Sequence, residues 1–218
     1  RRTSRRTQFG RRRRIPRRRV VRRKPPLIVP RCTVVRLKWS GLTDLGDNVN
    51  ESARHEYRLN SINDPDSIGA GHQPAGHDAW QGLYRRYEVL GCRYKVGFKM
   101  NDANAPDVGD IIVGIKVEGN DLSDRPAIGM DSGIVTQDKG WRWKHLRVHA
   151  AGSEVYQPYT YLSGYTNMRR HKRCHQGYTP YSNEAAFGSN PIETANLIVN
   201  ACTLDGQTLS TGIVRCHV

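Results

Sequence analysis

The sequence predicts an all-β domain of about eight strands, a sandwich or jelly roll, carried behind a basic N-terminal arm. Three observations lead there. Short segments rich in β-branched and aromatic residues alternate in character and are bounded by Gly, Pro, Asn and Asp. No strand–helix alternation runs along the chain, which excludes a parallel sheet layered with helices. Charge is also sharply divided. The first 24 residues hold 14 of the 35 Lys and Arg and no Asp or Glu, leaving 21 basic against 20 acidic residues in the rest.

The arm, residues 1–24, cannot fold alone, because its like charges repel and it has little apolar surface to offset chain entropy. Its cations are Arg1, Arg2, Arg5, Arg6, Arg11, Arg12, Arg13, Arg14, Arg17, Arg18, Arg19, Arg22, Arg23 and Lys24. Such a segment condenses on a polyanion and releases a counterion for each phosphate neutralised. The preference for Arg over Lys suits bidentate phosphate contact and stacking on bases. The arginines read equally as a nuclear-import signal. No apolar run reaches transmembrane length, so membrane insertion is not expected.

Residues 25–30 contain Pro25, Pro26 and Pro30, a stiff extended hinge. Residues 31–218 then suit one domain with a real core. Strands are expected at Cys32–Trp39, Glu56–Ile62, Tyr87–Met100, Asp110–Val117 and Trp141–His149, with a final pair, Thr194–Leu204 and Thr211–Val218, around Asp205-Gly206. Gly91 and Gly97 inside the long strand mark bulges or close approaches. In Trp141–His149 the alternation puts Trp141, Trp143, His145, Arg147 and His149 on one face. Only Asp78–Tyr87 has helical spacing, with Ala79, Trp80, Leu83, Tyr84 and Tyr87 recurring every three or four residues. Residues 63–77, 101–109, 118–140 and 163–193 read as long loops, which on a β-sandwich carry contacts or sites. The odd set Cys32, Cys92, Cys174, Cys202 and Cys216 argues against a disulfide framework, and all but Cys174 lie where buried free thiols and synthesis in a reducing compartment are expected.

Catalytic and metal motifs are incomplete. His171, Cys174 and His175 offer three zinc-type ligands, but no spaced partner pair completes them and four neighbouring cations repel a metal. His72, His77 and Asp78 lack a nucleophile elbow. Asp44, Asp47, Asp64 and Asp66 read first as turn formers and caps. GxxxxGK[ST] is absent. The chain is therefore read as a non-enzyme with no cofactor and no metal. Trp141, Arg142, Trp143 and Lys144 interleave aromatic and cationic side chains as single-strand binders do. The favoured reading of the tryptophans is a place in the sandwich core. Tyr156, Tyr159, Tyr161 and Tyr165 are read as a subunit interface, where tyrosine is enriched.

One stretch is more specific. Leu59-Asn-Ser-Ile-Asn-Asp-Pro-Asp66, Gly71-His-Gln-Pro74 and Trp80-Gln-Gly-Leu-Tyr-Arg-Arg-Tyr-Glu-Val-Leu-Gly91 follow one another in order. The chain there resembles capsid proteins of small circular Rep-encoding single-stranded DNA viruses, the circovirus-like group. The resemblance in motif covers residues 59–91; the arm and the β-rich remainder match in class. It implies a single eight-stranded jelly roll of two packed antiparallel sheets, assembled as an icosahedral shell, T=1 with sixty copies or larger, with the arm on the genome. It also implies location in the virion, and in the host nucleus during assembly. Viral single-stranded DNA, other copies of the chain, nuclear-import receptors and a cell-surface receptor are the partners implied. The other readings are the coat of a small RNA virus, a non-viral basic module of ribosomal or chromatin type, and a hydrolase or lectin-like jelly roll with an accidental tail, which would need a cluster of convergent polar residues. The near-neutral body argues against the basic module.

Overall fold

The computed structural model describes residues 29–45, 52–69, 71–100, 110–119, 132–137, 139–146, 159–168, 170, 184–204, 209 and 214–218. The chain divides into two units, Arg1–Val35 and Arg36–Val218. The strands and helices among the described residues belong to the second: β1 (Leu42–Leu45), β2 (Ser52–Arg58), α1 (His77–Gln81), β3 (Arg86–Glu88), β4 (Gly91–Met100), β5 (Ile111–Gly119), α2 (Ser132–Gln137), β6 (Arg142–Leu146), β7 (Thr160–Asn167), β8 (Glu184–Ala186), β9 (Ala195–Thr203) and β10 (Val214–His217).

The strands pair antiparallel into two four-stranded sheets, β1-β10-β4-β7 and β2-β9-β5-β6, with β3-β8 as a separate ribbon. Set the ribbon aside and count the remaining strands along the chain. The sheets then read 1-8-3-6 and 2-7-4-5. The first and last strands lie side by side and, apart from the β5–β6 pair, successive strands of the two sheets alternate between them, the double Greek key of a jelly roll.

Pleating explains the core. On β4 the inward set is Tyr94, Val96, Phe98 and Met100; on β5 it is Ile111, Val113 and Ile115; on β9 it is Leu197, Val199 and Ala201, and these meet between the sheets. Every residue of β9 is buried, because a second cluster of Ile112, Val135, Trp141, Ile198 and Cys202 covers the outer side of its sheet. A strand covered on both faces reads as a continuous apolar run, and Asn-Leu-Ile-Val-Asn-Ala-Cys is nearly that. Charged residues on the outer side of this sheet are paired: Arg54 with Glu56, Lys116 with Glu118 at 2.5 Å, and Arg58 with Asp64 at 3.0 Å.

Several expected elements move. Residues 32–39 enter no strand; Cys32 and Val34 are exposed and no neighbouring strand pairs with the segment, so β-branched alternation alone does not make a ladder. Cys92 is half-buried, and only Cys202 and Cys216 among the described cysteines are buried. The strand expected at Glu56–Ile62 lies four residues earlier, as β2, because the chain turns at Leu59-Asn60. The long strand is cut at Val89-Leu90 into β3 and β4, since β3 leaves the sandwich to pair with β8. The loop read over 163–193 contains most of β7 and all of β8, and the loop read over 118–140 contains α2. The helix ends at Gln81 rather than Tyr87. One turn has no continuous buried face: Trp80 is only half-buried, Leu83 is exposed, and His77 is the buried residue.

Candidate nucleic-acid interface

The segment that carries the viral resemblance is a structural clasp. Asn60 Nδ2 donates to the Glu193 carbonyl at 2.7 Å, and Asn60 Oδ1 accepts from the Ala195 N–H at 2.9 Å. Ser61 Oγ donates to Asn190 Oδ1 at 2.6 Å and accepts from the Asp64 N–H at 3.1 Å. The end of β2 is thereby tied to the entry of β9. Asp66 Oδ1 accepts from the Ile68 N–H at 3.1 Å and lies 3.0 Å from His55 Nε2, while Arg58 bonds Asp64 and the carbonyls of Asp66 and Ser67. These aspartates are occupied in holding the turn. The Gly71-His-Gln-Pro74 turn is tied in turn: Trp39 Nε1 donates to the His72 carbonyl at 2.6 Å, and Gln73 donates to Asn63 at 3.1 Å. Among the described residues no group of three His, Cys, Asp or Glu side chains could hold a metal ion.

The expected binding residues fall in three places. Arg1–Lys24, Tyr156, His171, Cys174 and His175 lie outside the described residues. Trp141 is 6 % exposed and packs beneath α2, so its ring faces the interior rather than solvent. Trp143 is 38 % exposed, edge-on to His145. Arg142 and Lys144 point the opposite way from Trp143. They cross to the neighbouring sheet, where Arg142 Nη1 donates to the Ser163 carbonyl at 2.7 Å and Lys144 Nζ to the Tyr161 carbonyl at 3.1 Å. These cations cover the free edge of β7, one of the ways proteins keep an edge strand from pairing with a stranger.

The tyrosines share one surface. β7 turns Tyr161 and Tyr165 to the outer face of the β1-β10-β4-β7 sheet, where they are 45 % and 59 % exposed, and Tyr159 stacks on Tyr161 with centroids 5.9 Å apart. β4 contributes Arg93, Lys95, Gly97 and Lys99 to the same face, because Tyr94, Val96, Phe98 and Met100 take the inward positions. Lys95 Nζ sits 3.7 Å from the centre of the Tyr161 ring. Sequence reasoning missed these lysines. Their signal is the strict alternation of Arg-Tyr-Lys-Val-Gly-Phe-Lys-Met, read as strand character without asking which face is cationic.

No protein-family model matches the sequence, and no curated protein matches it. Two solved structures are similar to it at low scores. A chain of Desmodium yellow mottle tymovirus is 12 % identical, with 88 % of this chain and 90 % of that one covered at a TM-score of 0.39. A chain of empty-head turnip yellow mosaic virus is 8 % identical, with 89 % and 85 % covered at a TM-score of 0.30. The jelly roll of this chain stands on its own strand order, independently of either likeness.

Proposed function

We propose that the protein is a viral capsid protein. Copies of the jelly-roll body assemble into an icosahedral shell, and the Arg-rich arm packages the genome. The observation that carries this is the division of charge across two units. A near-neutral jelly roll can pack against copies of itself without net repulsion. A separate arm with 14 cations and no anions collects nucleic acid without reading its sequence. In a sixty-copy shell such arms would gather on the order of 800 positive charges. Residues 59–91 supply the further expectation that the genome is single-stranded DNA and that the arm also serves nuclear import.

Removal of residues 1–24 tests the arm. The truncated protein keeps the circular dichroism and denaturation midpoint of the full chain and loses most of its bound nucleic acid. Wild-type amounts of nucleic acid on the truncated protein would contradict the assignment. Treating the nucleic acid released from full-length particles with DNase or RNase identifies the genome; sensitivity to RNase alone would move the reading to the coat of an RNA virus.

A further inference from the structure

The outer face of the β1-β10-β4-β7 sheet has a regular lattice. Register sets Tyr165 beside Arg93, Ser163 beside Lys95, Tyr161 beside Gly97, and Arg215 beside Lys99. The carboxylate on this face among the described residues is Asp44, and Arg215 already holds it at 2.7 and 3.2 Å. Arg93, Lys95 and Lys99 therefore stand on a face with no acidic neighbour in register, although the body as a whole is nearly neutral.

The aromatic side chains are set low on the sheet. A Cβ at Gly97 would come within 2.8 Å of the Tyr161 ring and 3.1 Å of Tyr159, and one at Gly91 within 3.0 Å of Tyr165 Cζ. The glycines are thus gaps into which rings lean. Covering a bare glycine in a sheet is reason enough for an aromatic neighbour. It does not account for leaving two rings this exposed among three cations that have no carboxylate in register among the described residues. Interleaved ring surfaces and cations are what an unpaired nucleic-acid strand requires: bases stack on any aromatic face, and phosphates are neutralised alongside. Tyr161 and Tyr165 are about 13 Å apart along the strand, enough for a few nucleotides. A second copy presenting the same face would instead bring like charges together.

We propose that this face is a second binding site for single-stranded nucleic acid, with Tyr165 as the open stacking surface, Tyr161 as a second one once Lys95 turns from its ring to a phosphate, and Arg93, Lys95 and Lys99 as phosphate contacts. This rests on the reading that the chain holds nucleic acid, and it moves these tyrosines from a subunit interface to the genome.

Photo-crosslinking the full-length protein to a 5-iodouracil-labelled single-stranded oligodeoxynucleotide tests it, with crosslinked peptides mapped by mass spectrometry. Crosslinks at Tyr161 or Tyr165, in addition to arm peptides, are expected. Crosslinks in the arm alone would overturn this site and leave the arm's role standing; none anywhere would overturn both. In the full chain, Lys95→Ala with Lys99→Ala should reduce the log–log salt slope of binding by about 1.4, at roughly 0.7 for each phosphate contact. Tyr165→Ala should weaken binding by about tenfold. An unchanged slope and affinity in these exposed-site variants would overturn the proposal. Tetranitromethane nitration of Tyr161 and Tyr165 should be blocked by the oligonucleotide. Blocking in nucleic-acid-free assembled protein would assign the face to a second copy instead.

Discussion

Replacing Asn60 with Ala measures what the most specific sequence segment does. Asn60 is 1 % exposed, and its side-chain amide spans from the end of β2 to the backbone that opens β9, donating to the Glu193 carbonyl and accepting from the Ala195 N–H. Alanine leaves both backbone groups without those partners, at about 1–3 kcal/mol each. The expected loss is about 2–5 kcal/mol. With a urea m-value of about 2 kcal/mol/M, the midpoint should fall by about 1–2.5 M. Equilibrium urea unfolding of the full-length chain, held dilute and unassembled, reads this. Asn63→Ala is the control. Its side chain accepts a single exposed bond from Gln73, so a shift within about 0.5 kcal/mol is expected. Equal midpoints for Asn60→Ala and wild type would refute the clasp and leave residues 59–66 open to a binding role.

Other perturbations follow the same geometry. Trp80→Ala should cost about 1–3 kcal/mol by chemical denaturation, below the roughly 3–5 of a fully buried aromatic, because part of its side chain stays exposed. Trp141→Ala should cost about 3–5 kcal/mol, since its ring fills the cluster under α2, while the folded fraction binds oligonucleotide unchanged. Alkali should destabilise the body. Burial pushes the Cys216 thiol up from 9.0 to about 12 and Cys92 to about 11, so stability is full below pH 9 and is lost as pH rises between those values. Denaturation midpoints between pH 8 and pH 11 check this; Cys216→Ala should flatten the decline, and a midpoint independent of pH would contradict it.

Legibility in the sequence followed burial. β5 and β9 were expected within two residues of their observed ends, because strands covered on both sides carry long apolar runs that polar loops bound clearly. Most of β7 reads as loop in the sequence. Of its inward positions Thr160, Leu162, Gly164 and Thr166, only Leu162 is a large apolar residue, and the Tyr94 ring fills the space that Gly164 leaves. β1, with Leu-Thr-Asp-Leu, is too short for alternation to register. The Asp78–Tyr87 spacing suggested a buried helix, yet Gly82 follows its single turn and the chain passes into β3. Site residues were harder still. Arg142 and Lys144 were legible as cations beside tryptophan, but their hydrogen bonds to β7 carbonyls depend on how two sheet edges meet, and no local pattern records that.

The central claim is that a neutral jelly roll with a cationic arm builds a closed shell around nucleic acid. Purified full-length protein, sized by light scattering and imaged in negative stain at neutral pH and moderate salt, tests it most directly. The account predicts uniform closed particles of megadalton mass that shield nucleic acid from added nuclease. A protein that stays monomeric in all such conditions, with and without single-stranded DNA, would contradict it.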